Sequence, residues 1–245
     1  MPEISWNSVY FDGEYDWSSG GEEWSQHWGG SEAQWFGSLY PRLHRLLPTE
    51  RILEIAPGFG RWTRFLLPVC KSYVGIDISG GCIAACQDRF KDNKSARFYQ
   101  NDGLSLDMAD GTFDLIFSFD SLVHAEDNVI AAYIPQIMRK LRAPTGVAFV
   151  HHSNIAGLPV GTEIKHARAA SVSAGLVADL VAYHGGKIIV QECVNWDATS
   201  LDLTDCFSLF GREDHPNSTV AVQLKNPRYM DEAVIIREAQ SPYSS

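Results

Sequence analysis

From Arg51 onward, short apolar blocks alternate with longer stretches of helical period. That alternation predicts a doubly wound α/β architecture, a mostly parallel sheet with helices on both faces. Residues 51–55, 73–78, 96–100, 113–119, 147–151 and 187–194 are each a block rich in Val, Ile, Leu or aromatic side chains, the composition of a buried or half-buried strand. Residues 60–70, 80–90, 130–141 and 172–183 have the length and spacing of crossover helices, the last with Ser171 or Ser173 as its cap. Further on, 205–210 reads as another strand and 218–224 and 233–236 as two short ones, so the tail is expected to be β-rich.

Residues 1–50 differ in kind. Trp6, Trp17, Trp24, Trp28 and Trp35 put five of the seven tryptophans among Gly, Ser and acidic residues. Gly20-Gly21 and Gly29-Gly30 punctuate this stretch into loops, and 32–47 is expected to be helical up to Pro48. The chain thus divides into an aromatic N-terminal cap, residues 1–50, and a ligand-binding domain, residues 51–245. No internal repeat or low-complexity tract interrupts it, and 240–245 reads as a frayed tail.

The block at 51–55 runs into Ala56-Pro57-Gly58-Phe59-Gly60 and then into a helical stretch. Gly58 and Gly60 permit positive φ and close approach of a ligand, and the following helix offers free N–H groups. Glu54 is set to accept hydrogen bonds from a bound cation or from the turn itself. Asp77 lies at the end of the next strand. In a doubly wound sheet the ends of adjacent strands flank one crevice, which places Asp77 to hold ribose hydroxyls. Residue by residue, the same features also describe a tight turn at Gly58 and Gly60, a helix cap at Asp77 and a turn residue at Asp102.

The ordered set Glu54-x-Ala56-x-Gly58-x-Gly60, Asp77, Asn101-Asp102-Gly103 and the strand from Phe113 to Asp120 resembles the class I S-adenosylmethionine-dependent methyltransferase superfamily. These are Rossmann-like proteins whose first motif is E/D-x-G-x-G-x-G. The likeness covers roughly residues 50 to 155, the C-terminal strands matching by architecture alone. Ala56 stands where the first glycine is usual and Pro57 follows it, which implies a more rigid turn. The resemblance implies about seven strands with the last antiparallel, S-adenosylmethionine as cofactor and S-adenosylhomocysteine as product. It implies Glu54, Ala56, Pro57, Gly58 and Gly60 around the methionine and ribose, Asp77 with Ile78 at the ribose diol, Asp102 with Gly103 at adenine, and Phe119 beside them at the end of the fourth strand. A nicotinamide-dependent (NAD) oxidoreductase also needs a glycine turn and a later acid. The acid inside the first strand and the downstream Asn101-Asp102 favour the methyltransferase.

Methyl transfer from a sulfonium is an in-line displacement with a good leaving group, so the protein has chiefly to align an acceptor and manage its proton. His124, just beyond the fourth strand, is the candidate general base, and Asp120 is its orienting partner or a contact of the acceptor. Packing and helix capping are the alternative roles of these two. His151-His152-Ser153-Asn154 ends the fifth strand on the same edge. Consecutive strand residues face opposite ways, so one of the two histidines, His151 in this reading, faces the crevice while the other packs. Asp120 with one of these histidines is also a candidate divalent-metal pair, since some sugar methyltransferases resembling this fold use magnesium. No adjacent carboxylate pair sits at a predicted strand end, and metal dependence stays open.

On the acceptor side, the cap aromatics offer flat surfaces for stacking, and residues 17–24 and 191–196 add hydrogen-bonding groups. The expected function is O-methylation of a sugar or other hydroxylated small molecule. An N-methyltransferase and a non-catalytic S-adenosylmethionine-binding scaffold are the alternatives.

Composition narrows the partners. With 45% hydrophobic and 20% charged residues, 245 residues can bury a substantial core. Against 30 Asp and Glu stand 20 Lys and Arg, for a formal charge of −10, and no basic run exceeds two residues. Nothing there tracks a phosphate backbone, so no nucleic-acid partner is expected. No stretch approaches the roughly 20 apolar residues of a membrane span, and the N-terminus lacks the pattern of a secretory signal, which predicts a soluble cytoplasmic protein. Five cysteines without a CxxC pair suit reduced thiols. Cys82 and Cys86, four apart, share a helix face and read as buried thiols ahead of metal ligands.

Overall fold

The computed structural model describes residues 4–216 and 220–240 of the chain. Within them β1 (Thr49–Ile55), β2 (Cys70–Asp77), β3 (Ala96–Gln100), β4 (Leu115–Ser118), β5 (Val147–Ser153), β6 (Gly186–Val194), β7 (Asp205–Arg212) and β8 (Val222–Asn226) form one sheet. Their order is β3-β2-β1-β4-β5-β7-β6-β8. β1 to β5 pair in parallel, and β7 runs antiparallel to both β5 and β6. β8 adds a parallel edge beside β6. The strand order reverses between β1 and β4, and that switch point is where an open α/β sheet leaves its crevice.

Alternation along the strands builds two apolar layers. Ile52, Leu115 and Phe117 enter one layer, while Leu53 and Ile116 enter the other. The helices are α1 (Ile4–Val9), α2 (Ser31–Gln34), α3 (Tyr40–Leu43), α4 (Thr63–Leu66), α5 (Gly80–Arg89), α6 (Asp127–Lys140), α7 (Ala174–Tyr183) and α8 (Tyr229–Gln240). Ile130, Tyr133, Ile134 and Ile137 give α6 one buried stripe on the second layer. Ser79 and Ser173 cap α5 and α7, their hydroxyls accepting from Cys82 N at 3.0 Å and Leu176 N at 3.1 Å. Trp28, Trp35, Leu39 and Leu43 of the N-terminal segment share the first layer with Phe117.

Five expectations need correcting. The sheet has eight strands, and its antiparallel member is β7, with β8 following it in the chain. Residues 233–236 lie in α8, whose buried Tyr229, Met230 and Ala233 recur at helical spacing, where a strand would alternate. The strand expected at 218–224 begins only at Val222, and 217–219 and 241–245, with most of the expected frayed tail, lie outside the described residues. The helices at 60–70 and 32–47 are broken up. The first starts at Thr63 and tightens into a 3₁₀ turn, Leu67–Val69, containing Pro68. The second holds a π-helical turn, Trp35–Leu39, around Gly37, where a Cβ would lie 2.7 Å from Ile236 Cδ1 of α8.

Candidate cofactor and acceptor site

A cavity of about 530 Å³ opens over the carboxyl ends of β1, β2 and β4, beneath the N-terminal segment. The turn after β1 forms its floor. Ala56 takes φ +58° and Gly58 φ +56°, so the left-handed bend survives the replacement of the usual first glycine, at a local cost of about 1–2 kcal/mol. β2 and the loop after β4 hold it: Ala56 N donates to Ile76 O at 2.7 Å, and Ser121 Oγ donates to Ala56 O at 3.0 Å. Asp77 accepts from Gly58 N at 3.0 Å and from Ser79 N at 2.9 Å. Burial pushes its carboxyl up to about 6, against those two backbone hydrogen bonds.

Of the residues expected around the cofactor, Ala56, Pro57, Gly58, Asp77, Ile78, Gly103 and Phe119 line this cavity. Three do not. Glu54 is fully buried behind the turn, where its carboxylate takes the Tyr73 hydroxyl and Thr63 Oγ1, the latter at 2.7 Å. Burial pushes Glu54 up to about 7, opposed by those two hydroxyls. Gly60 answers to packing, since a Cβ there would lie 2.5 Å from Phe90 Cε2. Asp102 is exposed and closes a turn onto Leu104 N and Ser105 N at 2.8 and 2.6 Å. Its neighbour Asn101 reaches the cavity instead, tied to Tyr133 Oη at 3.0 Å.

At the other end, His124 lines the cavity. Its Nδ1 lies 2.9 Å from the Ala167 carbonyl, which can only accept, so Nδ1 carries the proton and Nε2 keeps a bare lone pair. Burial and the Arg168 charge push its pKa down to about 4. Asp120 also lines the cavity but orients no histidine base. It takes φ +60°, and its carboxylate pairs with Arg61 Nη2 at 2.8 Å and Arg168 Nη2 at 3.8 Å.

His151 is a correction with a clear cause. β5 continues two residues past the expected end, so His151 lies inside the sheet opposite Phe207 of β7 and is fully buried. Its Nδ1 accepts from Asp120 N at 3.1 Å and its Nε2 donates to Asp205 Oδ2 at 2.9 Å. Burial lowers its pKa, so it stays neutral with both nitrogens engaged. Asp205 is buried too, which would raise it, but the Arg168 charge and the His151 hydrogen bond hold it well below the usual carboxylate range. His152 is equally buried, between Ser153 O and Ser208 Oγ at 2.8 Å each.

Arg61 and Arg168 are the site residues that reading the sequence missed. Arg61 carried a signal, as the first residue after the glycine turn, whereas Arg168 sits in an irregular segment with no periodicity to mark it. Three of the five early tryptophans, Trp6, Trp17 and Trp24, line the cavity; Trp28 and Trp35 are core. Trp17 stacks on Phe59 with centroids 4.5 Å apart and planes at 2°. Cys82 and Cys86 are buried, as expected, and the Cys86 thiol donates to Gly58 O at 3.1 Å. Among the described residues no group of three or more His, Cys, Asp or Glu is arranged to hold a metal, and no helix is long and apolar enough to cross a membrane.

A left-handed backbone turn, a buried carboxylate at the next strand's end and a polar Asn101-Gly103 wall fit a nucleoside bearing an amino-acid tail, and the volume suits such a ligand. Comparison with known proteins agrees. Residues 52–144 match the family described as "Methyltransferase domain". Ribosomal RNA small subunit methyltransferase A of Coxiella burnetii is 25% identical over 114 residues, 40% of this chain and 44% of that protein. The match thus spans under half the length of that relative. Among solved structures, an S-adenosylmethionine-dependent methyltransferase from Clostridium acetobutylicum aligns over 84% of this chain and 97% of its own, with TM-score 0.58 and 13% identity. The PH0226 protein of Pyrococcus horikoshii aligns over 71% and 88%, with TM-score 0.57 and 21% identity. These matches favour a methyl donor over the nicotinamide alternative. Residues 52–144 are thus similar to a methyltransferase domain, on a Rossmann-like fold shared with these solved structures.

Proposed function

We propose that this chain methylates a hydroxyl of a small molecule, a sugar or similar polyol, held between His124 and the aromatic N-terminal segment. The observation that carries the reading is that the Asp77–Gly58 corner and His124, whose Nδ1 is held by the Ala167 carbonyl, line one continuous cavity. When bound, S-adenosylmethionine supplies an electrophilic methyl group on a sulfonium. Asp77 accepts hydrogen bonds from ribose hydroxyls, and the left-handed turn lets backbone approach the methionine part. His124 takes the acceptor's proton at Nε2, and with its pKa near 4 it is in the base form throughout the neutral range. Arg61 and Asp120 fix the wall beside it, and the Trp17–Phe59 stack helps to exclude water.

An RNA acceptor, as in the Coxiella burnetii relative's name, is disfavoured by the charge of −10 and the lack of basic runs. N-methylation is the second reading, favoured by the depressed basicity of His124, since a neutral amine needs no strong base. Substituting His124→Ala decides between them. For O-methylation, turnover on hydroxylated acceptors, followed with labelled S-adenosylmethionine, should fall about 10²- to 10⁴-fold while S-adenosylhomocysteine binding is kept. Unchanged turnover at every pH would sink the base role. Failure of S-adenosylhomocysteine to bind the native protein would sink the cofactor assignment with it.

A further inference from the structure

Glu23 is an acid without a cation in an aromatic wall. It lies in the 3₁₀ segment Glu22–Trp28 and lines the cavity. The Tyr15 hydroxyl donates to Oε1, while Oε2 is buried with no partner among the described residues. The adjacent Glu22, by contrast, faces Arg64 at 3.2 Å. A buried carboxylate oxygen left without a donor is costly unless a ligand supplies one.

Its partner Tyr15 belongs to a cluster of three rings that line the same cavity. Tyr15, Trp17 and Trp24 have mutual centroid distances of 4.8, 5.0 and 5.6 Å. One of these rings already takes a cation, since the Arg61 guanidinium sits 5.0 Å from the Trp24 centroid. The cavity's arginines are themselves neutralised, Arg61 by Asp120 at 2.8 Å and Arg168 by Asp205 at 2.9 Å. Glu23, unlike Asp120, makes no ion pair among the described residues.

We propose that this side of the cavity is a seat for a cationic amino group carried by the acceptor, held by the Glu23 carboxylate and the rings of Tyr15, Trp17 and Trp24. The inference rests on the methyltransferase reading and narrows its substrate class to amino-bearing alcohols. Phe11 stands between the seat and the base, its centroid 5.9 Å from Tyr15 and 6.4 Å from His124. The amino group is thus an anchor, set apart from the hydroxyl at Nε2.

The test titrates the full chain, saturated with S-adenosylhomocysteine, with choline and with its uncharged carbon isostere dimethylbutanol. Choline should bind in the millimolar range and the isostere about tenfold more weakly. Glu23→Gln should weaken choline about tenfold and leave the isostere and S-adenosylhomocysteine unchanged. Glu23→Asp, which keeps the charge, should fall between and carries the test if Glu23→Gln fails to fold. Equal binding of the two probes, no choline binding at millimolar concentration, or indifference to Glu23→Gln overturns the seat. Loss of S-adenosylhomocysteine affinity in Glu23→Gln also overturns it, by assigning Glu23 to the cofactor's own ammonium. The native protein's failure to bind S-adenosylhomocysteine strikes the methyltransferase reading instead, so the two failures are distinguishable.

Discussion

Asp77 joins burial, two backbone donors and a place at the cavity wall, and its carboxyl is pushed up to about 6. In the proposed site, ribose hydroxyls would donate to the ionised form, so binding would favour loss of the proton. The affinity for S-adenosylhomocysteine should therefore be steady above pH about 6 and fall as pH drops through that value. Asp77→Asn should flatten this dependence and lower the affinity about 10- to 100-fold, the value of charge-assisted hydrogen bonds. Calorimetric titration across that range checks both, and a native affinity indifferent to pH would remove Asp77 from the contact. This residue was legible because a carboxylate ending the second strand has its place dictated by topology. Asp102 was not, because a short acid after a strand serves a turn equally well, and here Leu104 and Ser105 claim it.

Among the elements, β5 and β7 carry the largest departure from expectation. Their pairing runs from Val147–Gly211 to Ser153–Asp205, which draws His151 into the sheet and sets Asp205 beside it. The resulting chain Asp120 N–His151–Asp205–Arg168 is wholly buried or nearly so, and it holds the left-handed Asp120 that leads to His124. Asp205→Asn would leave Arg168 buried with the more distant Asp120 as its one carboxylate among the described residues, so a loss of about 3–5 kcal/mol in urea unfolding is expected. A loss under about 1 kcal/mol would mean that the network is not holding this corner. The antiparallel partner was the missing information: a strand's end is set by how far its neighbour runs, and β7 lies more than fifty residues downstream.

Over the whole molecule, the N-terminal segment serves two purposes with one residue type. Trp28 and Trp35 are buried in the core layer, whereas Trp17 hangs over the turn, where a Cβ on Gly58 would meet its ring at 3.0 Å. Asp12 ties the same segment to α5, accepting from Ser79 Oγ at 2.5 Å and Gly81 N at 3.1 Å. Binding of S-adenosylhomocysteine should therefore change tryptophan emission. Trp17→Phe should remove most of that change and Trp35→Phe little of it. Unaltered emission, with binding proved by calorimetry, would mean that the aromatic segment does not meet the cofactor.

The sequence by itself determined the alternation of strands and helices, the glycine turn, Asp77, and the aromatic character of the cap, because each is written in local period, backbone permissiveness or composition. Even Ala56 kept the left-handed turn, since β2 on one side and Ser121 beyond β4 on the other hold the bend. Only the tertiary structure decided which tryptophans line the cavity, which of His124, His151 and His152 does, and that Arg61, Arg168 and Glu23 line it too. Those outcomes depend on contacts between segments remote in the chain, where burial and pairing, rather than residue type, decide whether a side chain is a tool or a brace.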